Sequence, residues 1–149
     1  MLYLILLTVV ALDQASKLLI LNWLQDGDSV PVIPFFNIVL TYNPGVSFSM
    51  FSNQHPHVLS AIMILISGGL LCWMTKEKDK WIQVSLALIV GGAIGNVIDR
   101  FLYGAVVDFL DVYVSIYHWP AFNVADSAIC IGATLIIFRT LFFQKGNKK

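Results

Sequence analysis

The sequence predicts an all-α integral membrane protein: four transmembrane helices carrying a small extracytoplasmic β-rich platform. Three observations predict it. Of 149 residues, 58% are hydrophobic and 12% charged, where soluble domains average about 45–50% and about 25%; the mean hydropathy is +0.78. Four apolar stretches reach spanning length, at about 2–24, 58–74, 81–98 and 124–143, within a single membrane domain covering 1–149. Lys and Arg gather on one side of those stretches, which sets their orientation. Net charge is zero and no basic patch is present, so a nucleic-acid partner is excluded. Cys72 and Cys130 lie inside apolar stretches without disulfide or metal spacing, and read as small buried hydrophobes.

The first stretch spans about 34 Å as a helix. It lacks a basic leader and a small-x-small cleavage site and carries Asp13 and Lys17 mid-way, so it reads as a retained helix rather than a signal peptide. Asp13 and Lys17 stand four apart, on one face, with the acid N-terminal. They predict an intramembrane ion pair that locks this helix to its neighbours, or a pair that supports a site or binds a lipid headgroup. Ser16 and Lys17 diverge by about 100° on a helix and make no Ser–Lys hydrolase pair.

Extracytoplasmic segments follow at 25–57 and 99–123. In the first, 36–42 (FNIVLTY) reads as a strand, Pro44-Gly45 as a turn with Asn43 as turn-former, and 46–51 as a second strand, making a hairpin-like platform on the membrane. His55 and His57 read as solvent-facing rim residues. After the uncharged second span comes a charged turn at 75–80 (TKEKDK); the third span carries Gly91-x-x-x-Gly95, a spacing that permits close helix contact. The fourth places Arg139 to snorkel from its far end. Lys76, Lys78, Lys80, Arg139, Lys145, Lys148 and Lys149 fall on one side, Arg100 on the other, and Lys17 within a span. Both termini are therefore expected in the cytoplasm, with Trp23 and Trp119 at the outer interface and Trp73 and Trp81 at the inner one.

The acids Asp26, Asp28, Asp99, Asp108, Asp111 and Asp126 all fall on the outer side. Asn96, Asp99 and Arg100 share a face at the outer end of the third helix, and Asn123 and Asp126 repeat the i, i+3 relation at the start of the fourth. Near that helix start the macrodipole favours an ionised Asp126. Asp108 lies on the connecting loop, where the spacing permits a meeting with Asp126 without establishing it. Two carboxylates brought close share a proton. Such a pair suits peptide hydrolysis, the ionised partner taking a proton from water and the protonated one donating to the scissile carbonyl, with no metal and no cofactor. The same acids would equally serve as caps and ion-pair partners, Asp99 with Arg100 for example. Rival readings are a proton-coupled transporter, which needs acids spread through the membrane depth, a non-catalytic scaffold, and a metallopeptidase built on His118 with aspartates.

Five motifs in order, DQASK at 13–17, NPGVSF at 43–48, GNVIDR at 95–100, VVDFLD at 106–111 and FNVAD at 122–126, resemble those of the bacterial lipoprotein signal peptidases (signal peptidase II) over nearly the whole chain. The resemblance implies an aspartic endopeptidase of the bacterial cytoplasmic membrane, cutting prolipoproteins before a diacylglyceryl-modified cysteine. It implies Asp108 and Asp126 as the catalytic dyad. Asp13, Lys17, Asn43, Gly45, Asn96, Asp99, Arg100 and Asn123 are implied as substrate-binding or supporting positions, Asn43 contacting substrate and Arg100 binding its backbone or ordering the pocket. Asp111 is left as a rim residue. The platform becomes a cradle for extended peptide, and the loop at 104–119 a lid. Prolipoprotein and membrane phospholipid are the implied partners of a monomeric enzyme whose site lies at the extracytoplasmic face. One departure from the family pattern is a first span that begins almost at Met1.

Overall fold

A computed structural model describes residues 1–45 and 56–143. In chain order the elements are α1 (Leu2–Trp23), β1 (Ser29–Ile33), β2 (Phe36–Asn43), α2 (Pro56–Lys76), α3 (Lys80–Tyr103), β3 (Val106–Val114), β4 (Tyr117–His118) and α4 (Val124–Phe143). Four helices are long and apolar enough to cross a membrane. The strands form one antiparallel sheet in the order β1-β2-β3-β4.

Helix α3 is the central post, packed against α1, α2 and α4. Its glycines make that possible. A Cβ at Gly91 would meet the Leu6 carbonyl oxygen at 2.9 Å, and one at Gly95 would sit 2.5 Å from the Asp13 carboxylate, so the Gly91/Gly95 spacing seats α1. Gly92 faces the Ala125 carbonyl, and a Cβ added at Gly132 of α4 would meet the Ser85 carbonyl oxygen at 2.6 Å and the Ile89 side chain at 2.7 Å. Gly132→Val is expected to force α3 and α4 apart and lower stability by about 1–3 kcal/mol, read as an earlier thermal unfolding in detergent.

At one end of the bundle Asp79 caps α3 by accepting from the Trp81 N–H at 2.9 Å. Arg139, placed to snorkel from the far end of α4, pairs with the same carboxylate at 2.8 Å and ties α4 to the start of α3. Leu6, Met74, Ile82, Leu86, Ala87 and Val90 form the apolar core behind it. At the opposite end α3 continues past residue 98 to Tyr103 and stops at Gly104, whose φ of 75° supplies the left-handed cap that turns the chain into β3. The sheet rests on the end of α1 through Ile20, Leu24, Leu40, Val107 and Phe109.

Three expectations change. Residues 104–119, expected as a loop, are mostly strand: 106–114 is β3, which pairs with β2 from Phe36↔Val112 to Asn43↔Val106. Asp108 therefore stands on a buried strand, not a loop. The strand at 36–42 is present, extended to Asn43, but its partners are β1, which was not expected, and β3. The expected strand at 46–51, His55, the His57 side chain and Lys145, Lys148 and Lys149 lie outside the described residues. Cys72 and Cys130 are exposed on the spanning helices instead of buried, because a small sulfur side chain is tolerated against lipid.

Candidate active site

The site forms where the C-terminal end of α3, the strands β2 and β3 and the first turn of α4 converge. Asn123 immediately precedes α4, and its side-chain oxygen accepts from the Asp126 N–H at 2.9 Å, a cap of the kind that i, i+3 spacing predicts. The same residue joins the two acids. Its Nδ2 donates to Asp108 Oδ1 at 2.7 Å, and its backbone N–H donates to Asp126 Oδ2 at 3.3 Å. Asn43, at the end of β2, donates from Nδ2 to Asp108 Oδ2 at 3.1 Å, while its own oxygen accepts from the Gly45 N–H at 3.0 Å. Asn96 on α3 donates to Asp126 Oδ1 at 2.8 Å. Each of the four carboxylate oxygens thus receives one N–H, and each keeps a lone pair for a proton or a water.

Burial dominates the electrostatics of Asp108, which is 2% exposed. Loss of hydration, followed by repulsion from Asp126, pushes its pKa up to about 7 against the pull of Asn43 and Asn123. Asp126 faces a cavity of about 650 Å³ that Asn43, Asn96, Arg100, Trp119 and Phe122 also line. Arg100 reaches across it: one terminal N–H group donates to the Gly45 carbonyl, the other to the Asn96 carbonyl at 3.3 Å and to the Met63 sulfur at 3.4 Å. Among the described residues its Nε has no acceptor.

Beneath the acids lies a second, fully buried charge cluster. Lys17 Nζ stands 2.8 Å from Asp13 and 2.7 Å from Asp99, and donates to Asn96 Oδ1 at 3.1 Å. Asp13 also accepts from the Ala125 N–H at 2.9 Å, so a carboxylate on α1 satisfies an unpaired donor at the start of α4. Asp99 accepts from the Val107 N–H at 3.0 Å and holds β3 to α3. Asp99 therefore pairs with Lys17 rather than with its neighbour Arg100.

All ten expected site positions fall in this connected network: Asp13, Lys17, Asn43, Gly45, Asn96, Asp99, Arg100, Asp108, Asn123 and Asp126. Asp111 does not. It is no rim residue either; it is buried, accepting from Asn37 at 2.8 Å and lying 2.8 Å from His118 Nδ1. That pair has no third ligand: among the described residues no three His, Cys, Asp or Glu side chains are grouped to hold a metal. The sequence reading missed Gln14, which donates to Asp13, Asp99 and the Gly95 carbonyl at 3.0–3.2 Å. A polar amide inside an apolar stretch, beside Asp13, was the available signal.

A family model described as signal peptidase (SPase) II matches residues 5–142. A lipoprotein signal peptidase of Polynucleobacter necessarius is 46% identical over 137 residues, covering 89% of this chain and 84% of that protein. One from Vibrio cholerae serotype O1 is 44% identical over 143 residues, covering 91% and 83%. The solved structure of a bacterial membrane enzyme superposes with a TM-score of 0.88 at 37% identity, over 99% of this chain and 93% of that one.

Proposed function

The chain belongs to the signal peptidase II family, and on that premise we propose that it removes signal peptides from prolipoproteins as an aspartic endopeptidase, cutting before a diacylglyceryl-modified cysteine. One observation carries the chemical part: two carboxylates are joined by Asn123 and each supplied with one N–H per oxygen, and one of them, Asp126, lines a cavity of about 650 Å³ whose wall also includes Asn43, a hydrogen-bond partner of Asp108. Asp108, with its pKa near 7, keeps a proton on the pair at neutral pH. Asp126, facing the cavity, takes a proton from a water whose oxygen attacks the scissile carbonyl carbon. Asp108 gives its proton to the carbonyl oxygen, forming a neutral gem-diol. In the collapse Asp126 gives its proton to the departing nitrogen and Asp108 takes one hydroxyl proton from the gem-diol as the C–N bond breaks, which restores the dyad and leaves the signal peptide's carboxyl group and the free amine of the lipidated cysteine. Arg100 and Asn43, on the cavity wall, orient the peptide backbone.

The placement of Lys and Arg supports termini in the cytoplasm and a site at the extracytoplasmic surface, where a lipid-tethered cleavage point would sit. Two acyl chains, at about 0.8 kcal/mol per buried CH₂, hold such a substrate in the membrane and favour it over soluble peptides. A single chain supplies every residue of the site, in keeping with a monomer.

The test is cleavage of a diacylglyceryl-modified prolipoprotein by the purified protein in detergent with a chelator present, products identified by mass spectrometry. A cut directly before the lipidated cysteine is expected; no cut by folded protein, or a cut that the chelator abolishes, overturns the reading. The pH profile is a second check. Activity needs the Asp108 proton, so kcat/KM falls as pH rises through about 7. Asn43→Ala removes an N–H that holds the Asp108 pKa down, and the alkaline limb is expected to move to higher pH.

A further inference from the structure

We propose that Lys17 is a positioning residue for the dyad: its buried ammonium sets which way the Asn96 amide faces and through it supports the orientation of Asn123, and so helps to deliver their N–H groups to Asp126 and Asp108. The inference rests on the dyad reading above.

An ammonium only donates. The Asn96 atom 3.1 Å from Lys17 Nζ must therefore be its oxygen, and the Asn96 N–H₂ is turned toward Asp126 Oδ1, 2.8 Å away. Flipping this amide would set N–H₂ against the ammonium and the oxygen against a carboxylate, so the alternative is disfavoured at both ends. The order propagates. Asn96 Oδ1 also accepts from Asn123 Nδ2 at 3.2 Å, which joins the Asp126 N–H on Asn123 Oδ1 and the Val107 carbonyl in holding the second amide with its N–H₂ toward Asp108 Oδ1 at 2.7 Å. Lys17 is 1% exposed, and its three contacts, with Asp13, Asp99 and Asn96, use its whole donor set, so no rotation frees it. Only two of the three are ion pairs. The third reaches toward the dyad through a neutral amide, a contact that neutralising Asp13 and Asp99 does not require.

The charged groups around the dyad come from every element packed on it: Asp13 and Lys17 from α1, Asp99 and Arg100 from α3, Asp108 from β3 and Asp126 from α4. Lys17 and Arg100 are the cations in that set. The Lys17 charge draws the Asp108 pKa downward, in the same direction as the Asn123 amide that it helps to orient.

The experiment compares wild type, Lys17→Met and the double variant Lys17→Met/Asp99→Asn in the prolipoprotein assay, with KM, kcat and the pH profile measured for each. In the double variant the side-chain oxygen of residue 99 still accepts from Val107 N–H, the cluster keeps its wild-type net charge, and Asp13 still accepts from the Ala125 N–H and Gln14, which guards against misfolding of the single variant. The expected result for both is kcat lower by about 10- to 100-fold, KM within about twofold of wild type, and for Lys17→Met an alkaline limb displaced to higher pH. If the double variant regains wild-type kcat, Lys17 serves only to neutralise its acids and the proposal falls. A uniform loss of active protein with unmoved limbs overturns it too. Failure of the dyad reading is distinguishable, since wild type would then not cut or Asp126→Asn would still cut.

Discussion

Asp108→Asn and Asp126→Asn are each expected to abolish cleavage before the lipidated cysteine while leaving the protein folded. Asparagine is the same shape and keeps one oxygen, so at each position one of the two N–H contacts survives while the other meets an N–H₂, a loss of about 1–3 kcal/mol that leaves the rest of the frame in place. What disappears is an exchangeable acidic proton at 108 or a basic carboxylate at 126. A positioned acid or base contributes about 10²- to 10⁴-fold, and two that act on one proton circuit fail together rather than additively. Residual rates near the background of the assay are therefore the expected outcome. Asp111→Asn is the control: it lies in the Asn37–His118 cluster, outside the dyad network, and should retain cleavage. A loss at Asp111 comparable to that at the dyad would overturn the assignment. Stability supplies an independent reading. The Asp108 pKa is raised on folding, so the native state holds the proton more tightly than the unfolded chain. Stability is then undiminished below the ordinary carboxylate range and falls as pH rises toward and through about 7. Asp108→Asn removes that loss, and its Tm at pH 8 should match or exceed wild type.

The largest effect on stability is expected at Asp13. Asp13→Ala takes one carboxylate from Lys17 and an acceptor from both Ala125 N–H and Gln14 at a position with no exposure to solvent. Lys17 keeps its partner Asp99 at 2.7 Å, so its charge stays paired, and the loss is that of a buried donor left without an acceptor, about 1–3 kcal/mol. The Ala125 N–H adds its own unmet hydrogen bond at the start of α4, the helix that carries Asp126. Thermal unfolding in detergent should show the loss directly. A Tm within a degree or two of wild type would mean that the cluster is relaxed by water, and would remove its claim to position α4.

The four spans were legible because crossing hydrocarbon imposes a local rule: a run of about 20 apolar residues, readable one segment at a time. The polar motifs were legible for the complementary reason, since Asp13, Lys17, Asn96, Asp99 and Arg100 in apolar stretches stand out against their surroundings. The strand character of VVDFLDVYV was also present in its β-branched and aromatic residues, yet read as a loop, because strand identity depends on a partner that sequence does not name. Pairing of Asn37 with Asp111 and of Asn43 with Val106 joins residues more than sixty positions apart, and no local pattern encodes it. Asp111 shows the same divide: its type and motif suggested a rim acid, and only the register with β2 places it beside Asn37, buried. By itself the sequence determined the helices, the inventory of acids and amides and the family motifs. Tertiary structure alone decided that Asn123 bridges Asp108 and Asp126, that Asp99 takes Lys17 rather than Arg100, and that α3 is the post on which the rest is hung. Hydrophobicity is additive along the chain, whereas a hydrogen bond exists only when two particular groups are brought to the same place.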